Sequence, residues 1–420
     1  MTHSVSRLQR WLQRLVGEDL AGSGLGNLFA AQAVPLAGMV VLHFLTAAAL
    51  GPAGKGHASF MVMAAGLGSS ILFCSLHVGA LQAIRSGDTS GALRGLLGSL
   101  AFGSIPVMAA GLVLVLGEGV GPSFLGTADW AIMLAGTGLA IVGLYALRTI
   151  QGLGLSKAFR SLTLLQAYTY FLGTGVGLLV GITPTMVIAA WTLGQAVSLF
   201  AGLRVLAREA GLSLSPRPRV PILRSALAAH AGNLGHQLMY RVDIVLLGIL
   251  GTAAQVGVYA MAIAVAEPLL LVAEAFALST FAEGRERLSA GERRTRLAHH
   301  IKVYRRVAAL GAAILVGVGL LFFGYVIDGF ERSFTLLLIL LPGVWMGGIG
   351  RIRLGAVIAA DDRRTSMIIG AAAVVGSLVY LPLIHYFNAY GAAAASSLVY
   401  SAHALLLGRI LENKPSREPV

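Results

Sequence analysis

Apolar residues fall in runs of roughly twenty along this chain, and short polar or basic connections separate them. About 20 helical residues cross a hydrocarbon core of roughly 30 Å. The runs lie at 26–50, 58–84, 95–117, 130–147, 161–181, 186–206, 225–250, 255–280, 307–327, 334–359, 366–387 and 390–410. They predict twelve membrane-spanning helices. The fifth and sixth are parted only by Ile182-Thr183-Pro184-Thr185, which reads as a tight turn.

Composition agrees with a bilayer as solvent. The chain is 56% hydrophobic and 12% charged, about half the usual charge of a soluble domain. Its 54 glycines suit close helix packing in lipid. The single cysteine, Cys74, lies in an apolar run, so no intrachain disulfide forms. A net charge of +13 points to nucleic acid in a soluble protein, but its placement here points elsewhere. The 31 Lys and Arg sit almost entirely on alternate connections: Arg7 to Arg14, Arg85 and Arg94, Arg148 to Arg160, Arg204 to Arg224, Arg285 to Arg306, Arg351 to Arg364, and Arg409 to Arg417. The opposite connections hold only Lys55 and Arg332, and Arg241 lies inside a span. The positive-inside rule then puts both termini in the cytoplasm, and no nucleic-acid partner is implied.

Residues 4–20 are too charged for a signal-peptide core. Leu8, Trp11, Leu12 and Leu15 recur at helical spacing beside Arg7, Arg10 and Arg14. This suits an amphipathic helix in the cytoplasmic interface over 1–22, with a solvated basic tail as the alternative.

Two halves echo each other. Gly26-Asn27-Leu28 matches Gly232-Asn233-Leu234, and Leu50-Gly51-Pro52-Ala53 matches Leu250-Gly251-Thr252-Ala253. Met61 matches Met261, and Leu147-Arg148 matches Ile352-Arg353. Six spans return the chain to the same face, so the repeats would be parallel, related by an axis along the membrane normal. The expected architecture is an all-α integral membrane protein. A bundle over 23–206 and a second over 225–410 would surround a central cavity. A Pro-rich basic linker over 207–224 would join them, and a cytoplasmic tail would follow at 411–420.

Arg241-Val242-Asp243-Ile244-Val245-Leu246-Leu247-Gly248, with Val256-Gly257-Val258-Tyr259-Ala260, resembles the seventh-to-eighth-span stretch of polysaccharide flippases. Leu50-Gly51-Pro52-Ala53-Gly54-Lys55-Gly56 and Asn388-Ala389-Tyr390-Gly391-Ala392-Ala393 are similar to the same family. It belongs to the multidrug/oligosaccharidyl-lipid/polysaccharide exporter superfamily. The resemblance implies MATE-like pseudo-symmetric repeats and a polyprenyl-pyrophosphate-linked oligosaccharide as substrate. It also implies a bacterial inner-membrane location, a monomeric state, membrane lipid as surroundings, and a polysaccharide polymerase or other assembly protein as partner. It implies no cofactor. Twelve spans favour the polysaccharide branch over lipid II flippases, which carry extra helices.

Two decoys fall away. Gly51-Pro52-Ala53-Gly54-Lys55-Gly56 lacks the spacing and the Ser or Thr of a phosphate loop. His230 and His236 are six apart and do not stack on one helix face, so no metal site is expected.

Charges inside spans carry the functional information, because each costs about 2.5–3.5 kcal/mol at a helix centre and normally faces a wet cavity or a partner. Asn233, His236, Tyr240 and Asp243 form one polar stripe on the seventh span. Glu267, beside Pro268, and Glu274 share a face of the eighth. A pyrophosphate calls for a fixed cation, and Arg gives bidentate recognition. The resemblance therefore places Arg241 on the pyrophosphate, with Arg353 at the cytoplasmic mouth. A structural ion pair of Arg241 with Glu267, or less well with Asp243, is equally compatible. For Glu274 and the stripe, interhelical bonding competes with sugar contact or proton coupling. The basic connection 283–306 reads as a solvated cytoplasmic loop. Two other function classes stand beside the flippase. A cation-coupled multidrug antiporter would use the carboxylates Asp243, Glu267 and Glu274. A polysaccharide polymerase or ligase would need a large external loop, and the longest external connection, 118–129, carries only Glu118 and Asp129.

Overall fold

The computed structural model describes residues 25–73, 75–87, 104, 105, 109, 111, 122–210, 220–283, 289–360 and 362–413. The interfacial segment 1–22, most of the third span and the tail beyond 413 lie outside the described residues. Eleven α-helices carry the fold among them. These are α1 (Leu25–Leu72), α2 (Leu76–Arg85), α3 (Thr127–Gly152), α4 (Ser156–Val180), α5 (Pro184–Ala210), α6 (Val220–Leu250), α7 (Ala253–Glu283), α8 (Ala290–Leu321), α9 (Glu331–Ala359), α10 (Arg363–Ser377) and α11 (Tyr380–Glu412). A π-helical turn, Phe322–Val326, ends α8.

Seven of the described helices are long and apolar enough to cross a membrane, or eight with the bent pair Gly38–Leu72 and Leu76–Ile84 as one span. The helix α6 is not among the seven, and its polar stripe lowers its hydropathy. The chain folds as a multi-pass, all-helical membrane protein.

Two helix breaks fall at expected turns, and two fall inside expected spans, between Leu72 and Leu76 within 58–84 and between Ser377 and Tyr380 within 366–387. In α1 the break is Gly51, at φ 62° and ψ 180°, a backbone that glycine adopts without steric cost. Pro52 follows at a helix start, where its missing N–H costs nothing. A new helix thus begins at once, and Lys55 stands in its first turns. In α11 the break is Asn388 at φ 51°, where Asn is among the tolerated residues. The connection 283–306 is not a loop over most of its length, because α8 already starts at Ala290. Ser289 and Glu292 form a capping box there, each side chain bonding the other's backbone N–H.

The chain divides into two compact units, one of Leu45–Gly257 and one of Met1–Phe44 with Val258–Val420. In the first, α3 and α4 both pack on α5, and α6 packs on α2. Its core holds Ile141, Tyr145, Ile150 and Leu206, with a second cluster of Met61, Ala65, Met133 and Ile188. In the second unit, α9 packs on α11 and α8. Buried Tyr259, Tyr380 and Ser396 join their hydroxyls there, at 2.9 and 3.1 Å.

The outer faces are apolar. Only Leu162, Thr174 and Gly177 are buried on α4, while Leu165, Leu172, Val176, Leu179 and Val180 are exposed. On α8 the exposed set includes Leu310, Ile314, Leu320 and Leu321. Contiguous apolar surface of this kind marks contact with lipid rather than water.

One approach in the first unit is backbone against backbone. A Cβ at Gly56 of α1 would overlap the Ala253 carbonyl oxygen and lie 2.6 Å from Gly257 N, and a Cβ at Gly257 of α7 would overlap the Pro52 carbonyl oxygen. Only a glycine pair permits this crossing of α1 and α7.

Candidate functional site

Four of the seven expected site residues lie on α6 with described side chains. Tyr240 and Asp243 are buried, and His236 and Arg241 are half-buried. The His236 and Tyr240 rings meet edge to face at 4.9 Å and 78°, as i, i+4 spacing allows. Asp243 is 1% exposed, and its Oδ1 accepts from Ile244 N at 2.8 Å. Arg241 donates from Nη1 to Met63 Sδ on α1 at 3.4 Å. A thioether is a weak acceptor and carries no charge, and this contact ties the guanidinium to α1. Asn233 lies on α6, and its side chain is outside the described residues.

The other two expected residues belong to the second unit. Glu267 is half-buried on α7 next to Pro268. Arg353 of α9 donates from Nη1 to the Ala404 carbonyl of α11 at 2.7 Å. A Cβ at Gly408 would stand 2.7 Å from that same Nη1. Arg353 is thus fastened to a helix–helix contact. Glu274 accepts from Arg351 Nη1 at 3.1 Å, joining α7 to α9. The side chains of Arg351 and Glu274 are 19% and 46% exposed, and a pair this open contributes little, about 1 kcal/mol or less. Glu274→Gln is expected to keep transport within about twofold of wild type, in keeping with so small a term. A larger loss in a transport assay at equal protein level would make Glu274 a functional carboxylate.

A second polar cluster was not foreseen. Asp129 stands at the third position of α3, 6% exposed. Its Oδ2 accepts from Gly126 N at 3.0 Å and meets His57 Nε2 at 3.0 Å. Its Oδ1 accepts from the Thr185 hydroxyl at 2.7 Å. His57 follows Gly56 on α1, and Thr185 opens α5. All three residues come from connections or span ends that the charge pattern places on one face. Lys55 stands near this cluster on α1. It is 5% exposed, donating from Nζ to Thr46 Oγ1 at 2.8 Å. The sequence signal for Asp129 was the start of α3, where a carboxylate at the third position reaches back to the N-cap. No local signal pointed to His57, whose partner is 72 residues away. Among the described residues, no group of three or more His, Cys, Asp or Glu is placed to hold a metal.

No protein-family model matches this chain, and no curated protein does. Solved structures match it over nearly its whole length. A lipid II flippase, MurJ, in an inward closed conformation shares the fold at TM-score 0.73 and 14% identity, covering 92% of this chain and 88% of that one. A multidrug resistance MATE family transporter of the MOP superfamily, inward-facing, matches at TM-score 0.69 and 16% identity, covering 90% and 94%. An outward-facing structure of a multidrug resistance MATE family transporter of the same superfamily matches at TM-score 0.58 and 14% identity, covering 90% and 94%. The fold is that of MOP-superfamily transporters.

Proposed function

We propose that this chain is a transporter that flips a polyprenyl-pyrophosphate-linked oligosaccharide across the plasma membrane for surface polysaccharide synthesis. The observation that carries the reading is Arg241, a half-buried cation within the α6 span. An arginine there keeps its charge at any physiological pH and presents a planar fork to phosphate oxygens. His236, on the preceding turn, and Tyr240, next to Arg241, supply polar edges for sugar. The likeness to a lipid II flippase over most of both chains supports a lipid-linked substrate. The carboxylates Asp243 and Glu267 keep the cation-coupled multidrug antiporter as the second reading.

Twelve spans with both termini in the cytoplasm belong to the same proposal. Alternating access by two rocking halves is its mechanism. Cysteine labelling tests the topology. Labels at Gly119, Ala254 and Asn388 are expected outside, and labels at Thr89, Ser215 and Gly291 inside. Finding Ser215 and Gly291 on opposite faces would end the two-half account.

Ligand-dependent stability tests the substrate class. Anything that binds only the native state raises its melting temperature by mass action. A polyprenyl-pyrophosphate-linked sugar is expected to raise the Tm of the purified protein, with a smaller rise for Arg241→Ala. Stabilisation by lipophilic cations alone would favour the antiporter.

A further inference from the structure

The cluster at the start of α3 has a use that transport chemistry does not exhaust. His57 and Thr185 reach Asp129 from two other helices, so one carboxylate ties together the ends of α1's second segment, α3 and α5. His57 is covalently next to Gly56, the residue whose backbone meets Ala253 and Gly257. Whatever holds His57 therefore holds the α1 side of the crossing.

Histidine is the side chain whose charge ordinarily changes between pH 5 and 8. The imidazolium form donates to a carboxylate through a charge-assisted bond, roughly twice as strong as a neutral one. From α3, Asp129 itself faces the ring. From α5 comes the hydroxyl of Thr185, which does not titrate. The segment before α3 brings Phe124, whose ring lies 5.5 Å away edge-on. On α1, Lys55 is two residues off and is engaged with Thr46. Among the described residues, Asp129 is the one charged group in contact with His57. Its side chain is 18% exposed, so water can deliver a proton.

We propose that His57 and Asp129 form a proton-binding clasp that holds the Gly56–Gly257 crossing closed when protonated and loosens it when His57 is neutral. The step moves one proton from water to the imidazole, and the Nε2–H then points to Asp129 Oδ2. The clasp tightens at acid pH and slackens at alkaline pH. Its location on the outer face rests on the topology proposed above; the clasp itself does not.

Double electron–electron resonance on the full chain in lipid nanodiscs tests this. Both faces see the same buffer there and no substrate is needed, so neither a wrong topology nor a wrong substrate affects the outcome. Spin labels go at Ala53 and Ala254, and in a second pair at Ala53 and Thr127, in a Cys74→Ala background. All three labelled positions are exposed. Otherwise wild-type protein is expected to show a short, narrow distance at about pH 5 and a longer, broader one at about pH 8. His57→Gln should give the broad form at both, and Asp129→Asn likewise. Thr185→Val should keep the pH response, since it removes only a neutral bond. Identical distributions at the two pH values in otherwise wild-type protein would overturn the proposal. So would a wild-type response that survives in His57→Gln.

Discussion

Arg241→Ala is expected to abolish translocation while the protein still accumulates in the membrane. A hydrogen bond to a charged group contributes about 1.5–3 kcal/mol, and the guanidinium fork can make two of them to a pyrophosphate. Losing both corresponds to a fall of about a hundredfold or more in substrate recognition. Arg241→Lys is expected to restore part of the activity, because the ammonium keeps the charge and loses the bidentate geometry. The competing account is a structural pair with Glu267. It predicts that Arg241→Ala fails and that Arg241→Ala with Glu267→Gln recovers, since removing both charges relieves the one left behind. Complementation with parallel immunoblots separates the three outcomes. A silent Arg241→Ala would remove the pyrophosphate from this position.

Gly257→Leu, and to a lesser degree Gly56→Ala, is expected to open the crossing between α1 and α7. At both positions the first new carbon falls on a backbone carbonyl oxygen. Backbone cannot move aside by changing a rotamer, so the helices must separate. Overpacking generally costs about 1–3 kcal/mol, and a rigid neighbour puts this case at the upper end. About 3 kcal/mol against the closed form is a shift of more than a hundredfold in its population. Label distances between Ala53 and Ala254 should lengthen in Gly257→Leu at every pH. Gly66→Ala is the control, because nothing lies within 4 Å of a Cβ there. An unchanged distance in Gly257→Leu would contradict the crossing.

Long apolar runs are legible because lipid is a uniform solvent, and seven of the described helices are long and apolar enough to cross a membrane. Two helix breaks were legible for a local reason, since Gly51-Pro52 and Asn388 are residues that a helix reversal selects, while those between Leu72 and Leu76 and between Ser377 and Tyr380 lie in apolar runs that carry no such signal. The start of α8 was equally local. Ser289 and Glu292 form a capping box within a stretch whose basic charge resembles that of a solvated loop. The polar stripe on α6 was readable as a period-3.6 pattern, and the structure places His236, Tyr240, Arg241 and Asp243 along one helix. Partners were not readable. Arg351 meets Glu274 across 77 residues, His57 meets Asp129 across 72, and Arg353 bonds a backbone carbonyl that leaves no mark in sequence. A lone lysine between two apolar runs looks like a solvated loop residue, yet Pro52 restarts the helix so early that Lys55 turns inward to Thr46.

The central claim is that a lipid-linked, pyrophosphate-bearing sugar crosses the membrane through this protein. It is tested most directly in proteoliposomes loaded with a fluorescent polyprenyl-pyrophosphate-linked oligosaccharide. An added glycosidase that cannot cross the bilayer reads how much of it is exposed. With the wild-type protein, the fraction cleaved should rise beyond that in protein-free vesicles, and with Arg241→Ala it should not. Cleavage equal to that of empty vesicles, together with exchange of a cationic dye against an ion gradient, would contradict the account and identify a drug antiporter instead.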